Sequence, residues 1–537
     1  MAQIGAVTGR GFSFGLIRAV TGIEDAPLQA ALEQLAEADI LLVQGLAPNA
    51  DYTFKHALVQ DAAYSTLLRS RRQQLHGRIA ATLETKFTEI ASAQPQLMAQ
   101  HFTDAGLTKK AIDYWLKAGQ QALARSAMTE AVVELQKGLH LLASLPDNAQ
   151  RQQQELDLQV TLGPALIATK GYAAPVVGET IARARALAEQ LGRADHLVPL
   201  LYGQWVFRFV RAEHRLALAH AQEIEKLGGD RNAAAVLSLG HIYHGNTRFN
   251  LGEFTAARSL YERCHALLDP AHRSANAGLT AEDPWHVLLV YQAATLTYLG
   301  FIDQGRSRMN EALADARRLG HVHSLVFTLG HVCWVEWAAS SPREAQQHAT
   351  ELTALASEHG FPLWLGWGIV HRGWSSAALG QAQEGLSLLT EGLSVLRPTG
   401  VITWMPWSLT LLAEAHAKLD QLVEAQNCLA EAAQIIERTD ERYSEAELHR
   451  FRGDLLNATG DQAAAEDNYH RALDVARRQS AKTLELRAVI SLATQWRDQG
   501  KRSEARDLLA QSYDWFTEGF DTPVLQEAKA LLGELAP

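Results

Sequence analysis

Apolar stretches in this chain are broken by short polar or glycine turns at a fixed interval. Gly460-Asp461-Gln462 opens such a turn, with small residues at Ala465 and Ala472 after it. The same frame recurs at Asp420 with Ala425 and Ala432, at Gly380 with Gly385 and Gly392, at Ser340 with Ala345, at Gly300 with Gly305 and Ala312, and at Gly500 with Ala505, each 40 residues from the next. Seven residues before each marker the chain is small again: Gly245, Ala293, Cys333, Gly373, Ala413, Gly453 and Ala493. A turn residue free to take positive φ, a small residue opening the next helix and a small residue on the preceding helix describe two helices in close contact. Self-similarity at this period predicts a stacked array of helix pairs.

The ruler extends backwards to Gly252 with Ala257 and to Ala212 with Ala217, and an isolated match stands at Gly106 to Ala118. One step, from Gly252 to Gly300, is 48 residues, and its extra length falls in a loop between Asp269 and Pro284. A long loop in a strict array is often functional. Residues 150–211 read as helical but less regular, with Pro146 ending the unit before them.

Residues 1–76 do not follow the ruler. Ile4 to Val7 reads as the end of a helix, and Leu16 to Thr21 as a short helix ended by Gly22. A further helix is capped by Asp25, with Leu28, Leu32 and Leu35 on one face. Ile40 to Val43 and Tyr52 to Phe54 predict two strands joined by the turn Gly45 to Asp51, followed by a helix from Leu58. Helices followed by a β-hairpin suggest a winged helix.

The small-residue spacing resembles that of tetratricopeptide repeats, with a longer unit. That unit resembles the sensor arm of the maltotriose-responsive transcription activator and similar signalling ATPases. Tyr52-Thr53-Phe54-Lys55-His56-Ala57-Leu58-Val59-Gln60-Asp61 through Tyr64, and Leu67 to His76, resemble the end of the winged-helix domain of bacterial signal-transduction ATPases. The likeness to those fused to class III adenylate/guanylate cyclases extends over Lys170 to Pro175 and Trp515 to Thr522. The expectation is therefore an all-α, right-handed solenoid behind a winged-helix module at 1–76, a helical bridge at 77–146, and a repeat domain at 147–537.

The family's cyclase domain and ATPase core are absent from the sequence. Gly5 to Gly11 carries Arg10 and Gly11 where a phosphate loop needs Lys and Ser/Thr, and Gly9 to Gly15 is one residue too long for a dinucleotide fingerprint. No GxSxG, HExxH or CxxC stretch occurs. The chain thus reads as the carboxyl-terminal piece of a larger or split system, non-catalytic and without a cofactor of its own. The alternatives are a cyclase fragment and a free-standing docking scaffold. By resemblance, His56 would sense the phosphates of ADP once an ATPase core is supplied.

In a tetratricopeptide array the first helix of each pair lines the concave face. The slots 13, 6 and 3 residues before each marker then place Phe327, Trp334, Trp337, Trp367, Trp374, Trp407, Glu414 and Glu447 along a groove for a protein or small molecule, with Trp364 and Trp404 beside it. The competing expectation is that these rings simply fill space between long helices.

Composition narrows the rest. The net charge of −11 opposes broad binding to nucleic acid or anionic membrane, so Arg69, Arg71 and Arg72 read as a solvated helix start. No run of 18 uninterrupted apolar residues predicts a transmembrane helix, and the first residues carry no secretory pattern. Cys264, Cys333 and Cys428 are far apart and read as packing residues in the cytoplasm. His241, His244, His321, His323 and His331 lack the third and fourth partners of a metal site and read as scattered surface or groove histidines.

Overall fold

A computed structural model describes residues 1–125, 127–267 and 283–536. Most of the anticipated loop from Asp269 to Pro284 therefore lies outside the described residues. The chain forms two compact units, Met1–Thr169 with Glu179–Arg193, and Lys170–Gly178 with Ala194–Pro537.

The first unit opens with α1 (Ala2–Thr8), β1 (Gly11–Ser13), α2 (Phe14–Thr21), α3 (Asp25–Glu37), β2 (Leu41–Gln44), β3 (Asp51–Phe54) and α4 (Ala57–Ser65). The strands form an antiparallel sheet in the order β1-β3-β2, with Tyr52 opposite both Phe12 and Val43. Alternation along β3 turns Tyr52 and Phe54 inward, where they meet Phe12, Phe14, Ile17, Leu28, Leu32 and Leu41. β1 is the element the pattern did not predict: three residues, one of them glycine, offer no period to read. It lies within Gly9 to Gly15, the stretch tested above as a dinucleotide fingerprint. Ser13 ends β1 and caps α2, accepting from Leu16 N at 3.1 Å, and Gly22 closes α2 at φ 72°. The anticipated cap at Asp25 moves one residue back: Glu24 is the N-cap, and Asp25 sits in the first turn, paired with Arg18 at 3.0 Å. Helices α5 (Arg69–Lys86), α6 (Thr88–Ala93), α7 (Pro95–Asp104), α8 (Thr108–Ala124), α9 (Met128–Leu142) and α10 (Ala149–Lys170) follow, and α11 (Pro175–Gln190) comes next in the chain.

The second unit is built of helix pairs: α12 (Ala194–Val210) with α13 (His214–Asp230), α14 (Ala234–Asn250) with α15 (Phe254–His265), α16 (Pro284–Tyr298) with α17 (Ile302–Leu319), and α18 (Val322–Ala338) with α19 (Pro342–Glu358). Then come α20 (Pro362–Ala378) with α21 (Ala382–Leu396), α22 (Met405–Ala417) with α23 (Leu422–Thr439), α24 (Glu445–Ala458) with α25 (Gln462–Arg478), and α26 (Lys482–Asp498) with α27 (Arg502–Tyr513), followed by α28 (Pro523–Glu534). The fold is an all-α, tetratricopeptide-like solenoid.

Every marker takes positive φ, from Ala212 at 55° through Gly252, Gly300, Ser340, Gly380, Asp420 and Gly460 to Gly500 at 81°. A second set lies midway between them, from Gly192 and Asn232 through Gly320, Gly360, Gly400 and Asp440 to Ser480. One left-handed residue thus follows each helix from α12 to α14 and from α16 to α26, the usual way to stop an α-helix and reverse the chain. The small slots do what their spacing implied. A Cβ added at Gly453 would lie 2.5 Å from the Tyr469 ring, one at Gly245 2.5 Å from Tyr261, and one at Gly373 2.8 Å from Leu389. Each glycine lets its helix rest against a large side chain of its partner.

The array also closes on itself. Val210 O, at the end of α12, accepts from Ile402 N and Thr403 N at 2.8 and 3.1 Å, just before α22. Asn250 O, ending α14, accepts from Arg442 N and Tyr443 N at 2.8 and 3.3 Å, just before α24. Thr297 O, near the end of α16, accepts from Thr483 Oγ1 at the start of α26. Carbonyls at the end of one first-of-pair helix therefore accept from the start of another, one coil later. Side chains reinforce this seam: Glu441 takes Trp404 N at 2.8 Å and contacts His214 Nε2 at 3.2 Å, while Arg215 Nε reaches Asp440 at 2.9 Å.

Candidate functional site

Closure has a direct consequence for the first helices of each pair. They face one another across the coil's interior, and the middle ones, α16, α18 and α22, are apolar nearly all round. In α18 each residue from Val326 to Ala338 is buried, and α16 and α22 are nearly as enclosed. The aromatic slots converge there. The Trp367 ring lies 4.9 Å from Trp404 and 5.2 Å from Trp407, and Trp337 is 5.3 Å from Trp407. Phe327 meets Trp364 at 5.5 Å, and Trp334 meets Tyr443 at 5.0 Å.

The anticipated open concave surface is not present in this structure. Trp334, Trp337 and Trp407 are 0% exposed, Trp367 2%, Trp374 5% and Phe327 7%. These rings share one hydrophobic cluster, because the coil winds tightly enough to bring opposite walls into contact. The rings form an interior.

That interior is unusually polar for its depth. Trp367 Nε1 donates to Gly330 O at 3.2 Å, whereas the indole N–H groups of Trp337, Trp404 and Trp407 find no acceptor, nor does either ring nitrogen of His371 find a partner. His371 is held between Trp367 and Trp407, 5.0 Å from each. Burial, and to a lesser degree the nearby His331, push its imidazole down to about 3. Burial likewise takes His331 down to about 4, against a hydrogen bond with Phe327 O at 2.8 Å. His331 and His371 were not singled out for the interior by the sequence reading, which took His331 for a surface or groove residue. Their signal was available, since both stand nine residues before a marker in adjacent units.

Toward the carboxyl end, charge replaces rings. Glu447, 1% exposed, is held by Arg450 Nη2 at 3.0 Å and Arg487 Nη2 at 2.9 Å. Burial pushes its carboxyl up, but the two guanidiniums outweigh burial and hold it below the usual range. Arg450 continues to Asp454 at 2.7 Å, and Tyr469 OH donates to Asp454 at 2.8 Å. Arg487 lies 5.0 Å above the Trp337 ring and donates to Trp337 O at 3.1 Å, joining the network to the aromatic wall. Glu414 is half-buried and paired with Lys418 at 3.1 Å, and its charge acts on Arg450 without a direct bond to it.

The remaining candidates fall elsewhere. His56 is the exposed N-cap of α4, in the first unit, and its side chain makes no cap hydrogen bond. Arg69 and Arg71 are exposed, while Arg72 covers the Tyr64 ring at 5.0 Å. His241 and His244 both face Glu225, at 3.3 and 2.8 Å. Cys264 and Cys333 are buried and Cys428 is half-buried, all three as free thiols. Among the described residues no helix is long and apolar enough to cross a membrane.

Residues 404–478 match the family model for the tetratricopeptide repeat. An uncharacterized protein of Rhizobium meliloti (strain 1021) is 26% identical over 502 residues, which are 91% of this chain. The chain spans 48% of that relative's length. Among solved structures, the Rap protein complexed with competence and sporulation factor overlaps 69% of this chain and 98% of its own, at 11% identity and a TM-score of 0.49. A signal transduction ATPase with a tetratricopeptide repeat sensor, from Pyrococcus horikoshii, overlaps all of this chain and 65% of its own, at 12% identity and a TM-score of 0.37. The Cut9–Hcn1 hetero-tetramer overlaps 89% of this chain and 95% of its own, at 14% identity and a TM-score of 0.45.

Proposed function

We propose that this chain is the sensing and protein-interaction region of a signal-transduction ATPase and performs no chemistry itself. The tetratricopeptide-like array is a fold for contacts with other molecules. The observation that carries the reading is the seam. Because each coil of the array rests on the next, a ligand or partner that separates one seam contact changes the pitch of the whole second unit. The aromatic interior and the Glu447–Arg450–Arg487 network are the surfaces such an opening would release.

The finer assignments belong to the same reading. The order helix, strand, two helices and hairpin in the first unit supports a winged helix, and its resemblance to the ATPase family makes His56 a nucleotide sensor once an ATPase core is joined to it. The output would be ATPase switching, coupled to a cyclase. Free thiols fit a cytoplasmic setting.

The test begins with the DNA upstream of this reading frame. If it encodes an ATPase, ATP turnover is measured for the joined protein with and without Arg215→Glu, which sets like charges across the seam from Asp440. Altered turnover, restored by adding Asp440→Arg, is the expected result. Turnover indifferent to the seam would reduce the chain to a docking scaffold.

A further inference from the structure

A cleft of about 440 Å³ opens on the seam itself, between the start of α15, the start of α24 and the end of α25. It falls in the size range of small-molecule sites. Four kinds of group line it, and each asks something of an occupant.

The first is the N-terminus of α15, a helix of 12 residues with no acidic side chain in its first turn and no side-chain cap. Its leading amides, on Phe254, Thr255 and Ala256, donate to no acceptor among the described residues, and the first satisfied amide is Ala257 N, bonded to Glu253 O at 3.0 Å. These are donors for a carboxylate or similar oxyanion. The second is Arg478, largely exposed, whose nearest charged partner is Glu445 at 3.8 Å. Arg442, by contrast, is already engaged by Glu437, Asp440 and Glu445.

The third and fourth groups call for the opposite charge. Gln479 is 7% exposed, and its Nε2 donates to Arg442 O at 2.9 Å, which fixes the amide's orientation and leaves Oε1 without a donor. Glu445 is 9% exposed; its Oε1 takes Arg442 at 3.0 Å and its Oε2 has no hydrogen bond. Two nearly buried acceptors on the wall of one cleft are costly unless a donor meets them. A simple anion would answer the helix but not these two.

We infer that this cleft binds a small α-amino carboxylate, its carboxylate on the α15 amides and Arg478, its ammonium on Glu445 Oε2 and Gln479 Oε1. Arg442 and Arg478 balance Glu253 and Glu445 along the lining, so a zwitterion enters without leaving net charge buried. Arg478 covers Glu445 Oε2 in the absence of such a ligand and moves to the carboxylate when it binds. Because the cleft joins α15 to residues five markers later, occupancy holds the seam shut, by ordinary linkage. The inference does not depend on the chain's being part of an ATPase.

The experiment is calorimetry of the full chain against each of the common amino acids, with inorganic phosphate, acetate and methylamine as single-charge probes. At least one amino acid should saturate, and raise the melting temperature, where the single-charge probes do not. Thr255→Glu puts a competing carboxylate on the helix start, so it should abolish binding while leaving the fold as stable or more so. Glu445→Gln should weaken binding by about tenfold or more, the worth of a charge-assisted hydrogen bond. Binding of phosphate or acetate as tight as any amino acid would mean a plain anion site and overturn the proposal. So would silence with every amino acid, or binding unmoved by Thr255→Glu.

Discussion

Trp407→Ala is the substitution that separates an interior from a groove. The ring is 0% exposed and is packed against Trp367, Trp337 and His371 at 5.2, 5.3 and 5.0 Å. Burying about 200 Å² of ring at ~25 cal/mol per Å² gives about 5 kcal/mol. Removing an orphaned indole N–H returns about 1–2 kcal/mol of that, because no hydrogen bond is lost with it. The net expectation is about 3–4 kcal/mol of destabilisation, in line with the range for core aromatics. Trp367→Ala should cost at least as much, since its indole also donates to Gly330 O at 3.2 Å and that hydrogen bond is lost with the ring. A groove tryptophan would cost about 0.5 kcal/mol or less. Urea unfolding followed by far-ultraviolet circular dichroism reads the difference without relying on the rings removed. Hydrogen exchange should show the loss centred on α18, α20 and α22, since an array is stabilised by neighbour contacts. If both variants unfold within about 0.5 kcal/mol of the parent, the interior assignment is wrong.

Three further outcomes follow from named contacts. Gly453→Ala places a methyl 2.5 Å from the Tyr469 ring, so stability should fall by about 1–3 kcal/mol with exchange loosened first in α24 and α25. Acid should destabilise the second unit: His331 and His371 stay neutral down to about 4 and 3 because they are buried, while in the unfolded chain they take a proton near the usual 6.5. The unfolded state then binds more protons, so stability is full above pH ~6.5 and is lost as pH falls toward 4, and His371→Leu should flatten a plot of melting temperature against pH. Thiol labelling of the native protein should stop at Cys428, because Cys264 and Cys333 are 0% exposed and burial pushes the Cys264 thiol up to about 12; fast labelling of either buried thiol would contradict the packing.

The helices of the second unit were legible because their signals are local. A left-handed turn, a small residue five later and another seven earlier lie within one helix pair, and sequence carries all three. The short strand β1 was not legible, since Gly11, Phe12 and Ser13 become a strand only by pairing with Thr53, Tyr52 and Asp51. Exposure of the aromatic slots was not legible either. Slots 13, 6 and 3 before a marker identify which face of a helix points inward, but whether that face meets solvent depends on how tightly the coil is wound. Pitch accumulates from small rotations between units, and no single residue encodes it.

The eight-residue insertion shows what does fix the pitch. Phe209 O meets Thr403 Oγ1 across 194 residues of sequence, with the long step from Gly252 to Gly300 between them. Thr297 O meets Thr483 Oγ1 across 186 residues, with that step left behind. The two separations differ by the length added in the step, and in units of the array they are the same. Each donor stands 17 residues before a marker and each acceptor three before another, five markers earlier. A change in chain length inside the coil has therefore left the seam in register. Contacts between helix ends, not the length of chain joining them, set one turn of the coil, and Thr403 and Thr483 are the recurring residues that make it. Substituting either threonine by valine removes the hydroxyl and keeps the shape, so the seam should loosen while the helix pairs stay folded. That separation of coil from helix is what a repeat array needs if its winding is to carry a signal.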